Sequence, residues 1–267
     1  MQTTRERRRK GLLNAMFAIR FRCVGIFRLR AHGVVLLASV SFASAQCLAA
    51  DVWGGSLALT SDYFVRGISR TNDQAALQLE VHYSSTSGFL AGVFASNTQI
   101  DPYESRDVEL SGFFGYAWNL AEEWRGKVLA SYYAYPWNQS GNQYNYADLD
   151  LDLAYQGWLH FSLEYSPDVP RYLSYPYESL RGVAEKSAEV SLQRQVLGKL
   201  SATAGIGYSF LDGPDSGGYA YWSVGAAYDL RSLSLVLSYV DTTAEAKSLF
   251  YNAAASGRWM GTVIWRF

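Results

Sequence analysis

The sequence predicts an all-β fold: a transmembrane, antiparallel, up-and-down β-barrel of about twelve strands. Three observations predict it. Apolar and polar residues alternate with a period of two in run after run, most of them about ten residues long, which is what a tilted strand needs to cross a bilayer. The links between runs alternate between long and short, as the loops and turns at the two ends of such a barrel do. The chain also stops on GRWMGTVIWRF (257–267), with Trp259, Val263, Trp265 and Phe267 on one side of an extended strand and Arg258, Thr262 and Arg266 on the other. In water that ending would leave a sticky face and an open edge; facing lipid, with its edge paired to the first strand, it is satisfied.

The amino terminus differs in kind from the rest. Residues 1–30 hold nine Lys and Arg against one acid, Glu6. The uncharged GVVLLASVSF and the small residues of ASAQCLAA follow. This order predicts a secretory signal peptide over residues 1–50, cleaved after Ala50 or Ala45, with translation starting at Met1 or Met16. Its removal leaves one domain, 51–267, with 14 basic and 23 acidic residues, a net charge of about −9. An acidic exported chain is a poor nucleic-acid binder, which needs clustered Lys and Arg. Both cysteines, Cys23 and Cys47, fall in the leader, so no thiol chemistry is expected of the mature chain.

The expected strands lie near 53–63, 75–84, 88–97, 107–118, 124–135, 146–155, 158–165, 187–196, 200–210, 219–229, 232–242 and 257–267. LSATAGIGYSF (200–210) alternates without an error. ALQLEVHYS (76–84) sets Leu77, Leu79, Val81 and Tyr83 against Gln78, Glu80 and His82. ADLDLDLAY (147–155) sets Leu149, Leu151 and Leu153 against Asp148, Asp150 and Asp152. Only GFLAGVFASN is apolar on both faces. Long links are expected at 64–74, 98–105, 136–145, 166–186, 211–218 and 243–256, and short ones such as QG and LGK between them. An even strand count puts both termini on the periplasmic side. Aromatic residues at the strand ends read as interfacial girdles.

GSLALTSDYFVRGISRTNDQAALQ (55–78), SGFLAGVFASN (87–97) and RDVELSGFFGYAW (106–118) resemble the TorF family, also called Gcw_chp, of proteobacterial outer-membrane proteins. The order Phe64-Val65 and the residue Phe94 are small departures from its pattern. The resemblance implies a barrel in the Gram-negative outer membrane and a porin label, and lends no catalytic residues. The terminal Phe267 is similar to the assembly signal of outer-membrane barrels, which implies the barrel-assembly machinery as a partner beside the lipid itself.

The search for chemistry returns little. His82 and His160 both fall on polar faces, with no Ser or acid at an informative local spacing, so catalysis is not expected. The Asp148–Asp150–Asp152 ladder has steps of roughly 7 Å; a hard cation is one reading, and a charged wall is the preferred one. No Walker loop, Cys/His metal set or dinucleotide fingerprint occurs, so neither cofactor nor metal is expected. In SDYFVRGISR, either Asp62 pairs with Arg66 to fix the first loop, or Arg66 meets acidic lumen groups. The stretch 166–186, rich in proline and tyrosine, reads as an exposed extracellular loop or as a constriction folded into the barrel.

Turning each polar face inward assigns Asp62, Glu80, His82, Asp107 and Glu109 to the lumen. Asp148, Asp150, Asp152, His160 and Glu164 join them, and so do Glu189 and Asp229. The bases are Arg125, Lys127, Arg258 and Arg266. The acid excess predicts a narrow, cation-leaning passage for small polar solutes or ions. The alternative is a structural or surface-interaction barrel with a plugged lumen.

Overall fold

The computed structural model describes residues 51–99, 106–138, 144–172, 179–213, 216–250 and 254–267. The expected signal peptide lies outside them. The strands are β1 (Val52–Thr60), β2 (Phe64–Val65), β3 (Ile68–Ser69), β4 (Ala76–Ser84), β5 (Phe89–Thr98), β6 (Asp107–Asn119) and β7 (Trp124–Ala134). They continue with β8 (Tyr146–Tyr155), β9 (Leu159–Tyr172), β10 (Ser179–Leu197), β11 (Leu200–Leu211), β12 (Gly217–Leu230), β13 (Leu233–Thr242) and β14 (Arg258–Arg266). One helix, α1 (Ala244–Leu249), precedes β14.

Twelve of these strands form one closed barrel in which each pairs antiparallel with its chain neighbours and β1 pairs with both β4 and β14. β2 and β3 stand apart as a two-stranded hairpin in the first long loop. Closure leaves no free edge, which is the condition for a sheet to sit in hydrocarbon. The seam is continued by Phe267, whose N–H donates to the Gly55 carbonyl and whose carbonyl accepts from the Gly55 N–H, both at 3.1 Å. The Phe267 ring lies over Gly55; a Cβ there would sit 2.8 Å from it.

The period of two decides which way side chains point. On β11, Ile206 and Tyr208 are exposed while Ser201, Thr203 and Ser209 are buried inside. On β14, Trp259, Val263 and Trp265 are exposed on the outer face, as is Phe267 just beyond it. Outward aromatic pairs gather toward the two barrel ends, Trp53–Tyr83 and Trp265–Phe267 at one and Trp222–Tyr239–Trp259 at the other. The two-residue turn Gln156-Gly157 has φ 50° and 70°, the left-handed pair whose twist matches that of the flanking strands.

Three expectations are corrected, and one long link holds as expected but contains a helix. Most of 166–186 is paired strand: β9 runs to Tyr172, β10 starts at Ser179, and Ser179↔Tyr172, Leu180↔Arg171 and Val183↔Val169 extend this hairpin beyond the pairing of its neighbours. Its register shifts near Val183 broke the alternation that would have revealed it. The stretch 243–256 contains α1, too short for helical periodicity to register. β1 ends at Thr60, so Asp62 belongs to the loop and not to the wall. Finally, inward faces are not uniformly polar. Leu90 of β5 packs inside on Phe113 and Leu129, which explains why its run is apolar on both sides. Ala58, Ala227, Val236 and Ile264 form a second internal apolar cluster.

Candidate functional site: the barrel interior

The first loop folds inward, and Asp62 is the reason. Its Oδ1 accepts hydrogen bonds from the Tyr63 N–H (2.7 Å), Ser69 Oγ (2.6 Å) and Thr71 Oγ1 (2.7 Å). Its Oδ2 accepts from Arg258 Nη1 at 3.1 Å. Four donors bind one buried carboxylate, so the loop is tied to itself and to β14. Burial pushes the Asp62 carboxyl above its ordinary range, against the lowering pull of Ser69, Thr71 and Arg258.

From this hub the β2–β3 hairpin reaches across the interior. Phe64 and Ile68 pack on Val183, Leu211, Tyr219, Tyr221, Val240 and Met260, with Ala246 of α1 completing the cluster. Arg66 stands at the hairpin tip, 6 % exposed. Its guanidinium pairs with Glu164 of β9 and Glu185 of β10. Burial works against its charge, and the two carboxylates outweigh that, holding its pKa above the ordinary arginine value. Of the two readings of SDYFVRGISR, the Asp62–Arg66 pair is not formed: Asp62 goes to Arg258, and Arg66 to acids of the wall.

The remaining interior groups fall into a column and two ends. In the column, Asp150 stands in register with Glu164, and Asp152 with both Ser162 and Lys127. His160 Nδ1 lies 3.3 Å from Asp152 Oδ2, and Glu189 also faces Ser162. Toward the long-loop end, Glu109 accepts from Tyr63 Oη (2.8 Å) and Tyr135 Oη (2.6 Å). Asp107 there accepts from the Val108 and Trp137 N–H groups. Toward the other end, His82 Nδ1 meets Glu80 at 2.8 Å, over a Gly54 that leaves room for its ring. Arg266 Nη1 donates to Ser234 Oγ at 2.7 Å, and Ser234 donates in turn to Asp229. Arg125, on the inward face of β7, sits at this end too. Among the described residues no three His, Cys, Asp or Glu side chains converge as ligands of one ion.

Two interior groups escaped the sequence reading. Glu185 lies inside the 166–186 link, although Glu185, Ser187, Glu189, Ser191 and Gln193 keep one polar period across its end. The hairpin leaves little trace in the sequence: its strands are two residues each, and Arg66-Gly67 carries only the glycine of a two-residue turn.

Comparison with solved structures gives the fold. The "NanC porin structure in rhombohedral crystal form" is similar with a TM-score of 0.50 and 11 % identity, over 80 % of this chain and 98 % of that one. A KdgM porin has a TM-score of 0.49 and 11 % identity over 80 % and 99 %, and the same porin in complex with disordered oligogalacturonate has 0.49 and 12 % over 81 % and 99 %. At such identities the likeness concerns architecture alone. No curated protein matches. A family model described as "Bacterial protein of unknown function (Gcw_chp)" matches residues 45–265. The chain belongs to the Gcw_chp family.

Proposed function

We propose that this protein is an outer-membrane channel of the porin kind, the TorF label its sequence suggests, passing small polar solutes or ions through a narrow lumen. The observation that carries the reading is the closed barrel with an apolar outer face and an inner column of charge. A purely structural barrel needs no such column, because desolvating a carboxylate costs free energy unless a cation or water attends it. A signal peptide over residues 1–50 delivers the chain to the periplasm, and Phe267 marks it for the assembly machinery.

The lumen leans toward cations. Glu185 joins the acids read from the sequence, and Arg66 and Arg70, whose Nε is buried, join the bases, so the excess is reduced but remains negative. In a narrow, low-dielectric-walled passage that excess attracts counter-ions and repels co-ions. Planar-bilayer reconstitution tests this. Stepwise conductance and a reversal potential of the cation-selective sign under a KCl gradient are expected, clearest in dilute salt. Anion selectivity would overturn the charge argument.

A second reading has its own support. Phe64 and Ile68 fill the mouth with apolar packing, as a plugged structural or surface-interaction barrel would need. Absence of any conductance, in protein shown to be folded by heat-modifiable migration, would favour it.

A further inference from the structure

The first loop and the β8–β10 wall meet at one guanidinium. Arg66 and Gly67 occupy the two left-handed positions of the hairpin turn, φ 51° and 77°. Such a turn favours Asn or Asp before Gly, so a long side chain at Arg66 sits against local preference. Gly67 is pressed on the wall: a Cβ there would lie 2.6 Å from Thr242 Cγ2 and 2.7 Å from Tyr221 Cβ. The loop is already anchored by Asp62 and by Phe64 and Ile68. What the unfavourable residue adds is delivery of a guanidinium to one place.

That place is built for the group. Glu164 accepts from Arg66 Nε at 3.3 Å and from Nη2, while Glu185 takes Nη1. Two carboxylates thus read a planar fork, which an ammonium cannot present. Further polar groups adjoin the pair: Ser209 Oγ donates to Glu185, and Asp148 is hydrogen-bonded to Glu164 and Tyr133. Asp148 is buried beside Glu164, level with Ser166 in the register that pairs Leu149 with Tyr165. Ser166 pairs with Glu185 on the other side, and its inward hydroxyl is fully buried with no hydrogen-bond partner among the described residues. A fully buried, unpartnered hydroxyl set between these carboxylates offers a further polar contact to a group that they bind.

We propose that Asp148, Glu164, Ser166 and Glu185 form a binding site for a guanidinium-bearing solute, with Arg66 as its tethered occupant. An arriving solute takes the carboxylates from Arg66 and frees the hairpin tip from the β9–β10 wall. The inference rests on the channel reading, since it supplies that channel's solute class. A tethered group competes at an effective concentration in the millimolar range, so free solute binds weakly until the tether is cut.

The test uses the full mature chain refolded in detergent at low ionic strength. Methylguanidinium chloride is the probe, and methylammonium chloride is the matched cation without a fork. Calorimetry is run on wild type, on Arg66→Asn, which suits the turn, and on Arg66→Asn with Glu164→Gln. Arg66→Asn should bind methylguanidinium at least about 10-fold more tightly than wild type, given the tether's effective concentration. It should prefer the probe to methylammonium and lose it when Glu164 is neutralised. Equal affinities in wild type and Arg66→Asn, or no preference between the cations, would overturn the proposal. If Arg66→Asn refolds poorly, methylguanidinium in the refolding buffer should restore the heat-modifiable band and methylammonium should not; failure of that rescue also overturns it. Because binding is read without current, a barrel that binds but never conducts refutes the channel alone, and one that conducts without binding refutes the site alone.

Discussion

Two stretches of the inner wall, separated only by β11, are made differently. Across β8–β10 the inward residues include Asp148, Asp150, Asp152, Glu164, Glu185 and Glu189. Across β12–β14 they include Tyr219, Tyr221, Val236, Val240, Met260 and Ile264. Their outer surfaces are alike, with Leu163 and Val190 on one side and Val224 and Leu237 on the other, all exposed. The outer face answers to one medium and must be apolar all round. The inner face answers to whatever lies against it. The β12–β14 wall receives Phe64 and Ile68 of the hairpin and Ala246 of α1, and is a hydrophobic core in miniature. The β8–β10 wall receives a guanidinium, and is a charged surface.

The largest effect should come from cutting the apolar side of this contrast. Phe64→Ala removes a side chain 3 % exposed at the centre of the cluster. It should weaken docking of the first loop by about 3–5 kcal/mol. Faster hydrogen exchange in residues 61–75, with a higher single-channel conductance, is the expected result. Unchanged exchange would mean that Asp62 and Arg66 alone hold the loop.

Next comes the difference between inside and outside on one strand. Leu151→Arg puts a charge toward lipid and should cost about 2–4 kcal/mol if near the midplane. Asp150→Asn, one residue away and turned inward, should leave urea unfolding in lipid vesicles nearly unchanged. Similar midpoints for the two variants would break the assignment of faces on β8.

Gly67→Ala tests the hairpin geometry. A side chain at φ 77°, pressed on Thr242 and Tyr221, should cost about 1–3 kcal/mol of local strain. Loss of hairpin protection with the barrel's own unfolding midpoint retained is the expected outcome.

The smallest structural effect, and the most selective functional one, is expected from changing Asp148, Asp150 and Asp152 together to Asn. The fold should persist, because these side chains face away from lipid, and the reversal potential should move toward the non-selective value. A potential that stays at the wild-type value would show that the β8 column does not set ion preference.

Legibility followed the same division. LSATAGIGYSF reads as a strand because lipid and lumen impose opposite demands on successive residues, and those demands are local. The even strand number, the alternation of long and short connections and the outward Trp259, Val263, Trp265 and Phe267 were likewise visible in the chain. GFLAGVFASN looked ambiguous for a tertiary reason: its inward Leu90 meets Phe113 and Leu129, which only the closed barrel brings together. The strand content of 166–186 was hidden by register shifts that no short window registers.

The sequence by itself therefore determined the barrel, its strand number and its lipid-facing surface. Those follow from the two-residue period and from the need to pair every backbone group in hydrocarbon. Only the tertiary structure decided what the inside is. Arg66 is 98 residues from Glu164 in sequence, and Asp62 is 196 from Arg258. No period links such positions, and which carboxylate meets which cation is fixed only when the sheet closes and the first loop turns inward.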